Sequence, residues 1–227
     1  MAEAALFAPS DTALALRALT ALVLAYVGVN LVVTARRMVA SREVRDRTLH
    51  IVRGLRLRHV LPAPLVLLLV LVVGFSLMLV PGLDFGWWTF IGGEGNPVFG
   101  QTEATSGSAL EWVVPVVFVT LLVPCLPLFA EREERIFRLG AERWTWRRRL
   151  LRSVQFGLVH AVIGIPVGVA LALSLGGVYF TLAYLRGFRR GGGRESALVE
   201  STRTHLAYNL VIVSLALPAL LVASRMT

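Results

Sequence analysis

Apolar residues in this chain fall in long unbroken blocks separated by arginine-rich stretches, rather than at the three-to-four-residue spacing of a helix with one wet face. Five blocks stand out: residues 12–35, 60–80, 112–130, 154–185 and 204–223. A helix needs about 20 apolar residues to cross the hydrocarbon core. The fourth block is too long for one crossing, and Gly164-Ile165-Pro166 divides it into a short span and a full one. The pattern therefore predicts an all-α, polytopic membrane bundle of about six transmembrane helices, with residues 1–227 forming a single integral membrane domain. Pro124 and Pro127 are expected to kink or end the third span, and Pro127 to open a helical stretch that closes at Gly140. Residues 186–203, with Gly191-Gly192-Gly193, read as a polar turn before a last span that opens at Thr204.

The segments between the blocks set the orientation. Residues 36–59 mix arginines with Met38, Val39, Val44, Leu49, Val52 and Leu55, which reads as a basic amphipathic segment on the cytoplasmic membrane surface. Arginine clusters recur at 132–152 and 186–203, whereas 83–108 has no basic residue and carries Asp84, Glu94 and Glu103 beside Trp87, Trp88 and Phe90. The positive-inside rule places the arginine clusters in the cytoplasm and both termini outside, in a cell membrane. Trp144 and Trp146 read as interfacial anchors.

Composition changes the picture in two ways. The net charge of +9 would point to nucleic acid in a soluble protein. Here the basic residues flank apolar blocks, so anionic lipid headgroups are the expected partner and nucleic acid is not. One cysteine, Cys125, excludes an internal disulfide and a CxxC metal site, and reads as a small core residue.

Polar chemistry is confined to three pieces toward one side of the expected membrane: Glu133-Glu134 with Phe137-Arg138, Phe156 with His160, and His205 with Asn209. Such groups in an apolar setting need a partner or a function. Residues four apart share a helix face, so Glu134 and Arg138 suit an internal ion pair while Glu133 points about a quarter turn away. If the helix over 127–140 packs on the fourth and sixth spans, Glu133, His160, His205 and Asn209 converge. A carboxylate and an imidazole around one water form a general base, and a second imidazole beside a carboxamide supplies oxyanion donors. The same atoms permit a metal reading, in which Glu133, His160 and His205 hold a divalent ion such as zinc. There is no His-Glu-x-x-His and no Gly-x-Ser-x-Gly.

The ordered set resembles the CAAX-processing and bacteriocin-processing (CPBP) family of intramembrane proteases, which includes the Ras-converting CAAX endopeptidase. The likeness covers residues 124–223, the CPBP-like catalytic core. Two positions depart from the family pattern: Arg135 stands where an apolar residue is usual, and Leu139 separates Arg138 from the following glycine. The resemblance implies an intramembrane endopeptidase acting on membrane-associated proteins or peptides. It implies that Glu133 and His160 activate water, that His205 and Asn209 stabilise the oxyanion, and that Glu134 and Arg138, with Phe156, organise the site. The family has been described as metal-dependent and as glutamate-dependent; without a zinc signature the glutamate type is favoured, with no cofactor required. The rival readings are a non-proteolytic scaffold or immunity protein that keeps the pocket for binding, and a small transporter or proton relay.

Overall fold

The computed structural model describes residues 9–87 and 110–223, and every element among them is helical. Trp88, Phe90, Glu94 and Glu103, expected in an outer loop, lie outside the described residues. Helix α1 spans Pro9–Ala40, α2 Arg42–Arg53, the single turn α3 Leu57–Val60, and α4 Ala63–Met78. Helix α5 spans Leu110–Arg138, α6 Trp146–Val159, α7 Val167–Gly187 and α8 Gly193–Ala223. Helix α7 is central, packed on α4, α6 and α8, and α5 lies along α8.

Among the described residues three stretches are long and apolar enough to cross a membrane: Ala21–Ala40, Leu57–Met78 and Val167–Ala216. The outer side of α4 fits that environment, since Leu65, Leu68, Leu69, Val72 and Phe75 are all exposed. Inside, Ala63, Leu67, Phe137, Phe156, Phe180 and Tyr208 form one buried cluster, which holds the aromatic half of the candidate site.

The expected break between the fourth and fifth spans is present. A short 3-10 turn, His160–Ile163, follows α6, Gly164 adopts φ 89°, and Pro166 precedes α7. A positive φ is strained for any residue with a Cβ, which is why glycine stands there. Likewise Gly140, at φ 91°, ends the stretch that carries Glu133 and Glu134.

Two expectations need correcting. Helix α5 runs unbroken through Pro124 and Pro127. Prolines are tolerated within apolar helices where neighbouring helices, Ser or Thr side chains and small local adjustments re-satisfy the backbone groups that the missing N–H frees. Helix α8 begins eleven residues before Thr204 (204 − 193): its first turn, residues 193–196, is exposed, but over residues 197–208 the helix is largely buried and its polar side chains are paired internally. Glu200 binds Arg58 and His59, and the hydroxyls of Ser201, Thr202 and Thr204 donate back to carbonyls of the same helix. Helix α2 docks on α5 and α8, an association the sequence reading did not anticipate. Thr48, Ile51 and Leu55 turn inward, with Ile51 fully buried against Leu126 and Leu206, whereas Val39, Leu49 and Val52 stay exposed. The ion pair Arg47–Glu131, at 2.8 Å, fixes that face.

Candidate functional site

The site is assembled from the C-terminal end of α5, the end of α6, the middle of α7 and the middle of α8. Glu134 and Arg138, one turn apart on α5, have no exposed side-chain surface, and their ion pair measures 3.1 Å. An isolated charge there would be prohibitive, so each needs its partner. The Arg138 guanidinium also lies 4.1 Å from the centroid of the Phe156 ring, a cation–π contact, and its Nη2 donates to Gly177 O at 3.3 Å. That carbonyl also accepts from Thr181 Oγ1 at 2.9 Å.

His205 joins α8 to this pair. Its Nδ1 lies 2.9 Å from Glu134 Oε1, and its ring stacks on Phe180 with centroids 4.3 Å apart and planes 16° apart. With Nδ1–H committed to Glu134, Nε2 is the atom left for chemistry, and Glu133 Oε2 stands 3.8 Å from it. Unlike Glu134, Glu133 keeps a third of its side chain exposed (33%). A gap of 3.8 Å is too long for a direct hydrogen bond and suits two groups that bind one water.

His160 lies on the other side of Phe156. Its ring meets Phe156 edge-on at 4.9 Å, and Phe156 meets His205 edge-on at 5.5 Å. His160 Nδ1 bonds Phe156 O at 2.7 Å, one turn back on its own chain, which leaves Nε2 as the acceptor. Among the described residues, neither Glu133 nor Glu134 forms an ion pair with His160. Of the two imidazoles the sequence brings to Glu133, His205 is the one within 4 Å of its carboxylate. Asn209, one turn past His205, is half-buried and its carboxamide has no hydrogen-bond partner among the described residues.

Four buried polar atoms of this cluster lack a hydrogen-bond partner among the described residues: Glu134 Oε2, Arg138 Nε and Nη1, and the hydroxyl of Tyr208. Buried polar atoms are nearly always satisfied, so exceptions cluster where function requires them. No group of three His, Cys, Asp or Glu side chains among the described residues is arranged as a metal-ligand set.

Three residues of the site escaped the motif reading. Phe180 stacks on His205, Gly177 supplies the carbonyl for Arg138, and Tyr208 lines the core beneath them. A usable signal existed for Gly177. It lies directly against Ser153, and Gly157 against Ala170 and Ser174, so small residues on α6 and α7 mark a close helix crossing. The two positions that depart from the family pattern are both accommodated at the surface. Arg135 bridges Glu131 at 3.0 Å and Glu195 at 3.2 Å, and Leu139 is partly exposed.

The fold defines a helical protein with apolar stretches fit for a membrane, carrying a buried carboxylate–guanidinium–imidazole cluster beside a half-exposed second carboxylate. Set against protein-family models, curated proteins and solved structures, the chain matches none.

Proposed function

We propose that this protein is a glutamate-type intramembrane endopeptidase that hydrolyses peptide bonds of membrane-associated proteins or peptides. The observation that carries the reading is the half-exposed Glu133 carboxylate facing the outer nitrogen of His205, whose inner nitrogen is fixed by the buried Glu134–Arg138 pair. The resemblance to the CPBP proteases, carried by the three motifs, supports the same assignment.

In this reading Glu133 takes a proton from water while the free Nε2 of His160 orients it, and the oxygen attacks the scissile carbonyl. The developing oxyanion accepts from His205 Nε2–H, when that nitrogen is protonated, and from the Asn209 carboxamide. Glu133 then returns its proton to the departing amine. Glu134, Arg138, Phe156 and Phe180 hold the two imidazoles in place. Six crossings, with both termini outside and the site in the cytoplasmic half of the cell membrane, complete the proposal; the arginine distribution supports that topology.

Comparing membrane proteomes of cells carrying the intact chain and Glu133→Gln tests it. Peptides that accumulate uncut with Glu133→Gln support it; identical proteomes, with equal protein levels, reject it.

A second reading has its own support. Glu134 is charge-paired with Arg138 and bonded to His205, as in the polar core of a non-proteolytic scaffold or immunity protein. There Glu133→Gln leaves the cellular phenotype intact, and only changes that break the Glu134–Arg138 pair abolish it.

A further inference from the structure

A second cluster of ionisable groups, away from Glu133, lies where α2, α3 and the α7–α8 turn meet. Two adjoining cavities there, of about 420 and 360 Å³, share His50 and Arg203 in their walls. The smaller is lined by the guanidinium groups of Arg47, Arg58, Arg190 and Arg203 and by only two carboxylates, Glu195 and Glu200. Its volume is within the range of small-ligand sites, about 300–1,000 Å³.

The cations here are not fully answered. Glu200 is shared among Arg58 at 2.9 Å, His59 at 3.2 Å and Arg190 at 3.4 Å. Arg203 has no carboxylate partner among the described residues. Its Nε donates to Ile51 O at 3.2 Å and its Nη2 to His50 O at 2.8 Å, so it closes the end of α2 and keeps Nη1 uncommitted. Gly54 makes this possible, since a Cβ there would collide with the Arg203 guanidinium. The chain thus seats a cation in a pocket that already holds an excess of them.

We propose that this pocket binds an anionic phosphate group, with Arg203, Arg190 and Arg58 as its donors. Guanidinium groups offer paired N–H donors that match phosphate oxygens, and several around one cavity suit a tetrahedral anion. Beside Arg58, the side chains of Leu57, Val60 and Leu61 are exposed, an apolar surface along which acyl chains could lie. A phospholipid headgroup and a free phosphate share the recognised chemistry, and basic pockets near the cytoplasmic ends of helices are known to take headgroups.

The test is native mass spectrometry of the full chain in a non-ionic detergent, titrated in turn with phosphatidylglycerol, inorganic phosphate and phosphatidylcholine. Saturable retention of phosphatidylglycerol identifies a headgroup site, and retention of inorganic phosphate alone identifies a soluble ligand; either supports the proposal. Arg203→Gln and Arg190→Gln should each weaken retention at least tenfold. Gly54→Ala, which displaces Arg203 without changing the charge, should do the same. If Arg203→Gln fails to fold for want of its cap on α2, Arg190→Gln and Gly54→Ala decide. Retention of neither anion, retention of phosphatidylcholine equal to phosphatidylglycerol, or unchanged retention in the folded variants overturns the proposal.

Discussion

A carboxylate with no exposed surface persists only when its charge is answered, and Glu134 is answered by Arg138 at 3.1 Å and by His205 at 2.9 Å. Removing one partner of a buried pair strands the other, at a cost of about 3–5 kcal/mol. Glu134→Gln should therefore lower stability by about that amount, read as a drop in the thermal midpoint of purified protein. Glu133→Gln, at a half-exposed position, should leave the midpoint unchanged within the scatter of surface substitutions, about 0.5 kcal/mol. Asn209 lies between these cases. With no hydrogen bond to lose among the described residues, Asn209→Ala should leave stability intact while lowering turnover by about two to three orders of magnitude, the loss expected of an oxyanion donor. What was legible at this scale was spacing within one helix: Glu134 and Arg138, four apart, are paired as the periodicity requires. Contacts between helices were not legible. The motifs place two histidines near two glutamates but do not say which imidazole faces which carboxylate, and Phe156 stands between His160 and His205.

The site depends on how closely α6 and α7 approach. Gly157 and Gly177 lie where any side chain would meet backbone or small side chains of the opposing helix. Gly177→Val would force the pair apart and shift the carbonyl that accepts from Arg138. Overpacking of this kind costs about 1–3 kcal/mol, and a thermal midpoint lower than that of Gly176→Val would check it, since Gly176 meets only Phe180. A second tie joins the turn after α5 to α8. Burial works against the charge of Glu142, but its bonds to Arg194 at 2.7 Å, to backbone and to the Tyr184 hydroxyl outweigh it, and its carboxyl is held below the usual carboxylate range. A depressed folded-state pKa gives stability that is present above the ordinary carboxylate range and lost as pH falls through the folded value. The stability gap between wild type and Glu142→Gln should thus be full at neutral pH and shrink below about pH 4. Helix ends marked by glycine and proline, at Gly140 and Gly164-Ile165-Pro166, were legible because backbone conformation is local chemistry. The start of α8 and the inward face of α2 were not. Arg58 and Arg203, distant in sequence from what they bind, turn segments that read as solvated into packed ones.

At the scale of the whole molecule, helical class and apolar stretches follow directly from block length, whereas the number of crossings depends on which long helices lie in lipid. Three stretches meet the length and hydropathy criteria among the described residues. The site is seated in the same core that joins α4, α5, α6, α7 and α8, so its chemistry and the fold share the residues Phe137, Phe156, Phe180 and Tyr208. Metal content of purified protein, with chelator treatment of active material, separates the glutamate and metal routes: activity that survives chelation without bound metal agrees with the glutamate type. The central claim is that Glu133 and His205 act on the same reacting atoms. A double-mutant cycle on cleavage of an accumulated peptide measures this directly, using kcat/KM for Glu133→Gln, His205→Gln and the double variant, each checked for folding. Groups that work as one unit give a double variant no worse than its poorer single parent. Losses that multiply instead would mean that the two side chains act independently, and would contradict the account.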